Sequence, residues 1–433
     1  MKFYSTANKF HRVGLREAVI QGLAPDNGLY MPEQLPVLSK SFFESLPKLT
    51  LREIGFEVAN QLLGKEVSSA QLHSIIEHTI QFDAPLVPVE EDIFSLELFH
   101  GPTLAFKDFG ARFLAALLGH FANEQNQVVT ILVATSGDTG SAVANAFLQV
   151  PGTRVVVLYP SGKVSEIQEQ QFTTLGANIT ALEIEGTFDD CQRLVKAAFL
   201  DPDLKHSFFL TSANSINIAR LIPQSFYYFY GWGQLKYQGP VVISVPSGNF
   251  GNLTAGIMAK KMGLAIDRFI ASTNMNDVVP GYLKTKAFQP RTSVATISNA
   301  MDVGNPSNFA RLLDLYQDDF SKFSSEVVGF SASDAETMIA MQEIYKATGY
   351  VLDPHGAVGY WGLKNYLRKN PGKGIFLETA HPAKFFQVVE NALQVPVSVP
   401  DRLLKFRQGT KQSILMKPDF SVFKSWLPSL LTQ

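Results

Sequence analysis

From about residue 125 onward, short β-branched or apolar runs alternate with longer stretches in which apolar residues recur at helical spacing. The runs at 128–134, 155–159, 208–211, 241–245, 268–272 and 374–378 are each short enough for a buried strand. Their nearly continuous apolar character calls for cover on both faces, which marks a parallel sheet flanked by helices. Each run leads through a polar or glycine-bearing loop into a helical pattern, and in open sheets of this kind ligands sit beyond the carboxyl ends of the strands. The first ~90 residues read differently. Helical patterns over 51–63 and 69–80 follow a Gly/Pro-rich segment at 22–32, which predicts a helical module packed against the main body.

Composition narrows the picture. With 433 residues, 46% hydrophobic and 18% charged, the chain can bury a large core, and its length suggests two or three domains. A formal charge of −2 gives no general attraction for nucleic acid or acidic membranes, so a bound anion must be held by local groups. No run approaches the ~20 apolar residues of a membrane span, and Met1-Lys-Phe-Tyr-Ser-Thr has no apolar signal core, so the expected address is cytoplasmic. The single cysteine, Cys191, excludes an intrachain disulfide and a multi-cysteine zinc site, and no metal site is expected. Its amphipathic helical setting makes it a small buried or half-buried residue, not a nucleophile.

The candidate chemistry lies in the loops. Lys107 stands among apolar residues just after a Gly-Pro turn, in His100-Gly-Pro-Thr-Leu-Ala-Phe-Lys-Asp108. An ammonium placed there is a surface group, an ion pair with Asp108, or an amine whose charge has been removed chemically by condensation with an aldehyde. The loop Ala134-Thr-Ser-Gly-Asp-Thr-Gly-Ser-Ala142 can aim backbone N–H groups at an anion, aided by the helix dipole, yet it has neither a dinucleotide nor a P-loop fingerprint. Pro246-Ser-Gly-Asn-Phe-Gly-Asn252 opens a helix over 253–262, with Gly248 and Gly251 allowing close backbone approach. Leu377-Glu-Thr-Ala-His-Pro-Ala-Lys-Phe385 closes a strand at Thr379. In Thr211-Ser-Ala-Asn-Ser-Ile-Asn-Ile-Ala-Arg-Leu221, hydroxyl, amide and guanidinium groups gather as a phosphate monoester would require, and equally as an N-capped helix with a solvated arginine would show.

Taken in order, the Lys107 peptide, Ser136-Gly-Asp-Thr-Gly, Ser215-Ile-Asn, Gly248-Asn-Phe-Gly-Asn252 and Thr379-Ala-His-Pro-Ala-Lys-Phe resemble the threonine synthase family of fold type II pyridoxal phosphate enzymes. The segment at 22–32 and Ser298-Asn-Ala-Met-Asp-Val-Gly-Asn-Pro-Ser307 extend the resemblance over nearly the whole chain. It implies an α/β fold like the tryptophan synthase β-subunit, with two open, mostly parallel sheets, flanking helices and the N-terminal helical module. The implied units are 1–95 for the module, 96–124 with 226–433 for a large cofactor-binding domain, and 125–225 for a smaller mobile domain.

Position by position, the resemblance implies that Lys107 carries pyridoxal 5'-phosphate. Gly248, Asn249, Phe250, Gly251 and Asn252 would cradle its phosphate, and Thr379 would hydrogen-bond the ring nitrogen, making a milder electron sink than a carboxylate partner would. Asp138 would lie near the ring hydroxyl, where two negative charges repel unless a proton is shared. Thr103, Ser136 and Thr139 would seat the substrate carboxylate. Ser215, Asn217 and Arg220 would hold the substrate phosphate, with Lys384 as an extra contact. The implied reaction converts O-phospho-L-homoserine and water to L-threonine and phosphate, in a monomer or homodimer that acts without nucleic acid or membrane. The alternatives are a lyase of the same fold that releases 2-oxobutyrate from the same substrate, and a non-catalytic relative.

Overall fold

The computed structural model describes residues 1–125, 128–237 and 239–432. Its strands, in chain order, are β1 Phe3–Ser5, β2 Arg12–Val13, β3 Tyr30–Pro32, β4 Leu86–Glu90, β5 Ile93–Glu97, β6 Val129–Ala134 and β7 Thr153–Pro160. They continue with β8 Ile179–Ile184, β9 Phe209–Ser212, β10 Val241–Pro246, β11 Arg268–Thr273, β12 Val327–Ser331, β13 Lys373–Glu378 and β14 Ile414–Met416. A six-stranded sheet has the order β12-β11-β10-β13-β5-β4, parallel except for β4. A five-stranded sheet, β14-β8-β7-β6-β9, is parallel throughout. Every residue of β6 and β10 is buried, as strands covered on both faces must be.

The N-terminal module carries the two expected helices, Leu51–Leu63 and Ser69–Thr79, each started by a capping box, Thr50 with Glu53 and Ser68 with Gln71. It also holds a three-stranded antiparallel sheet, β2-β1-β3, so its first residues are extended as well as helical. Strands this short present too few alternating positions to stand out in a sequence. Ile54, Val58 and Leu62 bury the helix face against the same core as Phe226 and Phe229.

β8, with Thr180 and Glu183 half-buried, and β12, with only Val327 fully buried, lie outside the expected runs, and the β4–β5 hairpin precedes the lysine peptide. The tail departs from the expected boundary. β14 pairs in parallel with β8 of the smaller sheet, and Phe423 and Leu427 join a core with Cys191 and Leu194. The last residues therefore close the smaller unit instead of continuing the larger one. Cys191 is buried in the helix Phe188–Leu200, and burial pushes its thiol up to about 12, away from nucleophilic use. No helix among the described residues is long and apolar enough to cross a membrane.

Candidate active site

The chemistry-bearing loops follow β5, β13 and β10 of the larger sheet and β6 of the smaller one. After β5 the chain is pinned to the segment after β13 by a bridge between Ala105 and Ala380. Phe106 N–H donates to the Thr379 carbonyl at 2.9 Å, and His381 N–H donates to the Leu104 carbonyl at 3.0 Å. Leu104 accepts a left-handed backbone in this loop, with φ 58°. Lys107 then begins the helix Lys107–Gln125.

Asp108 is not the partner of Lys107. Its carboxylate turns back to accept Thr103 N–H at 2.8 Å and the Thr103 hydroxyl at 2.7 Å. Burial outweighs these bonds and pushes its carboxyl up to about 6. The nearest anion to the Lys107 amine is Asp138 Oδ2, at 3.8 Å. Burial lowers the Lys107 amine to about 8, with Asp138 opposing the shift and Lys384 and Arg220 adding to it.

Asp138 opens the helix Asp138–Phe147 after Gly137, whose φ of 138° and lack of a side chain are both required, since a Cβ would lie 2.6 Å from Gln168 Cδ. Its Oδ1 accepts Lys384 Nζ at 2.5 Å and Gln168 Nε2 at 2.8 Å. Despite its burial, the two lysines hold Asp138 well below the usual carboxylate range. The Asp138 charge is thus met by local counter-charges on Lys384 and Lys107. In the same loop Thr135 Oγ1 takes the Gly137 and Gly140 N–H groups at 2.9 and 2.8 Å. The N–H groups of Ser136, Asp138 and Thr139, and the hydroxyls of Ser136 and Thr139, are left without an acceptor among the described residues.

The loop after β10 offers a second row of free donors. The N–H groups of Gly248, Asn249, Phe250, Gly251 and Asn252 meet no acceptor among the described residues, at the start of the helix Gly251–Lys261. Gly248 packs so closely that a Cβ would stand 2.8 Å from Met301 Cα. Phe250 is left-handed, with φ 59°. Asn249 ties the loop to its neighbours, donating to Ser215 Oγ at 2.5 Å and accepting Ser307 N–H at 2.6 Å. The hydroxyls of Tyr227 and Tyr228 both donate to Asn252 Oδ1 at 2.7 Å, which leaves Asn252 Nδ2 buried without a partner.

Three residues expected as substrate contacts, Thr103, Asn217 and Lys384, have intramolecular partners. The Thr103 hydroxyl is committed to Asp108. Asn217 spends both amide hydrogens on the Val19 and Ser212 carbonyls, at 2.8 and 3.3 Å, while its oxygen caps Ala219 N–H at 3.0 Å. Lys384 is fully buried and points at Asp138 and the Thr103 carbonyl, the latter at 2.9 Å. Arg220 is buried, donates through Nη1 to the Ala213 carbonyl, and keeps Nε unpartnered. Two organising residues escaped sequence reading. Gln168 lies in a helix whose polar pattern reads as a solvent face. Arg311 is fully buried and donates to the Tyr30, Ser215 and Ile216 carbonyls and to Asn308 Oδ1, at 2.7–3.3 Å.

The comparisons with known proteins cover the same ground. Family models match as threonine synthase N terminus over residues 2–80, pyridoxal-phosphate dependent enzyme over 82–377, and threonine synthase, C-terminal, over 356–426. The chain belongs to the threonine synthase family. It is 46% identical to threonine synthase from Haemophilus influenzae over 432 residues, covering 99% of both chains. The crystal structure of threonine synthase from Escherichia coli superposes with a TM-score of 0.93 at 43% identity, covering 100% of each chain. PLP-bound threonine synthase from Brucella melitensis superposes with a TM-score of 0.91 at 33% identity over 98% of each chain.

This threonine synthase family member is a pyridoxal-phosphate-dependent enzyme of fold type II. Its site fits the cofactor on its own geometry. The free N–H row at 248–252 and the orphaned Asn252 Nδ2 suit a phosphate dianion at a helix N-terminus. The Thr379 hydroxyl lies just after β13 with no hydrogen-bond partner among the described residues, and burial lowers the Lys107 amine to about 8.

Proposed function

We propose that the chain converts O-phospho-L-homoserine and water to L-threonine and phosphate, with Lys107 carrying pyridoxal 5'-phosphate. The observation that carries this reading is the Lys107 amine, drawn down to about 8 and facing an anion whose charge is already balanced. An amine lowered from its ordinary 10.5 to about 8 has a larger unprotonated fraction at physiological pH, and that fraction can attack an aldehyde and accept protons. When bound, the cofactor supplies the electron withdrawal that makes carbon-bound protons of the amino acid removable.

The protein's own groups then divide the work. The amides of 248–252 would hold the cofactor phosphate, and the Thr379 hydroxyl would hydrogen-bond the ring nitrogen. Asp138 would lie near the ring hydroxyl, with its charge offset by Lys384. The unpartnered Ser136 and Thr139 groups seat the substrate carboxylate. Ser215 and Arg220 would hold the substrate phosphate, the Arg220 Nε having no acceptor among the described residues. The freed Lys107 amine would take the α proton and then a β proton as phosphate leaves the γ carbon, and would return them at the γ and α carbons as water adds at the β carbon. The same reading expects a cytoplasmic enzyme, monomer or homodimer, without nucleic acid or membrane partners.

Product analysis tests it. Purified, cofactor-loaded protein given O-phospho-L-homoserine should release threonine and phosphate in equal amounts. Phosphate with 2-oxobutyrate and no threonine would identify a lyase, and no turnover would identify a non-catalytic relative.

A further inference from the structure

Lys384 presents a physical problem. Its ammonium is fully buried, which is unfavourable unless acceptors surround it. Two do. Asp138 Oδ1 lies at 2.5 Å and the Thr103 carbonyl at 2.9 Å. The three residues come from different places. Lys384 follows β13 of the six-stranded sheet, Asp138 follows β6 of the five-stranded sheet, and Thr103 precedes the Lys107 helix. Gln171, from the helix Glu166–Thr173, adds a donor to the same Thr103 carbonyl at 3.2 Å, and Gln168 of that helix adds one to Asp138 at 2.8 Å. Gln168 is itself oriented by Ser165 Oγ, which donates to its Oε1 at 2.9 Å.

The consequence falls on Lys107. Asp138 is the anion nearest its amine, and the other oxygen of the same carboxylate carries Lys384. We infer that Lys384 is a positioning residue, not a substrate ligand: it fixes Asp138 as a neutralised anion beside Lys107 and thereby keeps the Lys107 amine available in its free form. This rests on the reading of Lys107 as the reactive amine. The charged groups facing the cluster are few. Lys107 meets Asp138, Lys384 and Arg220; Asp138 meets Lys107 and Lys384; Lys384 also acts on Asp108, which Arg112 faces from the other side, and on His381.

Removing the Lys384 cation acts on Lys107 twice in one direction. It deletes a like charge and leaves the whole Asp138 carboxylate to attract the Lys107 proton. A residue that only filled space would do neither. A substrate ligand would in addition change affinity for phosphate esters.

The test reads Lys107 directly in the full chain freed of cofactor. The rate of its modification by trinitrobenzenesulfonate is followed against pH, by mass analysis of the Lys107 peptide. In Lys384→Met and Lys384→Gln the midpoint should rise by about one pH unit, roughly a tenfold loss of free amine at neutral pH, whereas Lys384→Arg should stay at the parent value. Unchanged midpoints in folded neutral variants overturn the proposal, as does an equal shift in Lys384→Arg. Should neither neutral variant fold, Asp138→Asn decides. It removes the anion that Lys384 holds, so the midpoint must fall, and an unchanged midpoint overturns the proposal. Because the modified peptide is identified whether or not Lys107 binds the cofactor, failure here is distinct from failure of the proposed reaction.

Discussion

Asp138 Oδ2 lies 3.8 Å from Lys107 Nζ, beyond a good hydrogen bond yet well within reach of its charge. Burial still prevails and brings the amine to about 8 from its ordinary 10.5. Cofactor uptake by the free protein should therefore accelerate as pH rises and level off above about 8, as followed by the growth of the cofactor's visible absorbance. A midpoint near the ordinary lysine value would contradict the geometry. The stability linkage has a defined sign. Between about 8 and 10.5 the unfolded chain binds a proton at this site that the folded chain does not, so this lysine's contribution to stability rises with pH across that window.

Arg311 joins three parts of the chain by donating to the Tyr30, Ser215 and Ile216 carbonyls. Arg311→Met keeps much of the volume and removes every one of these donors, leaving buried carbonyls unpaired. We expect a loss of about 3–5 kcal/mol in denaturant unfolding. A loss below about 1 kcal/mol would show that water replaces the guanidinium at no great cost.

Glu378 is fully buried, accepts the Asp353 N–H at 2.7 Å through one oxygen, and has no partner for the other among the described residues. Burial, reinforced by the Asp353 charge, raises its carboxyl well above the ordinary 4.5. Above 4.5 the unfolded chain releases a proton that the folded chain keeps, so this residue makes the fold less stable as pH rises. Glu378→Gln removes that dependence. Relative to the parent, the variant should gain stability between pH 4 and pH 7 by about 1 kcal/mol or more in urea titrations at the two pH values. A difference that does not change with pH would mean that Glu378 is ionised in the fold.

Arg220 keeps an unpartnered Nε, while its Nη1 is held by the Ala213 carbonyl. Arg220→Ala should raise the KM for O-phospho-L-homoserine by about tenfold or more and change cofactor affinity by less than about threefold. Equal losses in both would remove Arg220 from the substrate site.

Much of the site was legible because loops that approach anions need particular residues. Gly137, Gly248 and the left-handed Phe250 stand in short glycine-bearing turns after buried strands, and such turns are visible in a sequence. What stayed hidden was how polar side chains are shared. Asn217, Thr103 and Lys384 have the chemistry of ligands, and only the fold reveals that their hydrogen bonds are taken by Val19, Asp108 and Asp138. Gln168 and Arg311 were hidden for the opposite reason, since polar side chains on helices ordinarily face water. β14 escaped because three residues far along the chain complete a sheet formed more than two hundred positions earlier, a pairing no local pattern encodes.

Lys107, and no other amine of the chain, is the proposed carrier of the cofactor. Borohydride reduction of the cofactor-loaded protein, followed by digestion and peptide mass analysis, tests it in one step. We predict a reduced pyridoxyl phosphate group on Lys107 alone. The same group on Lys384 or any other lysine, with an unmodified Lys107 peptide, would contradict the account.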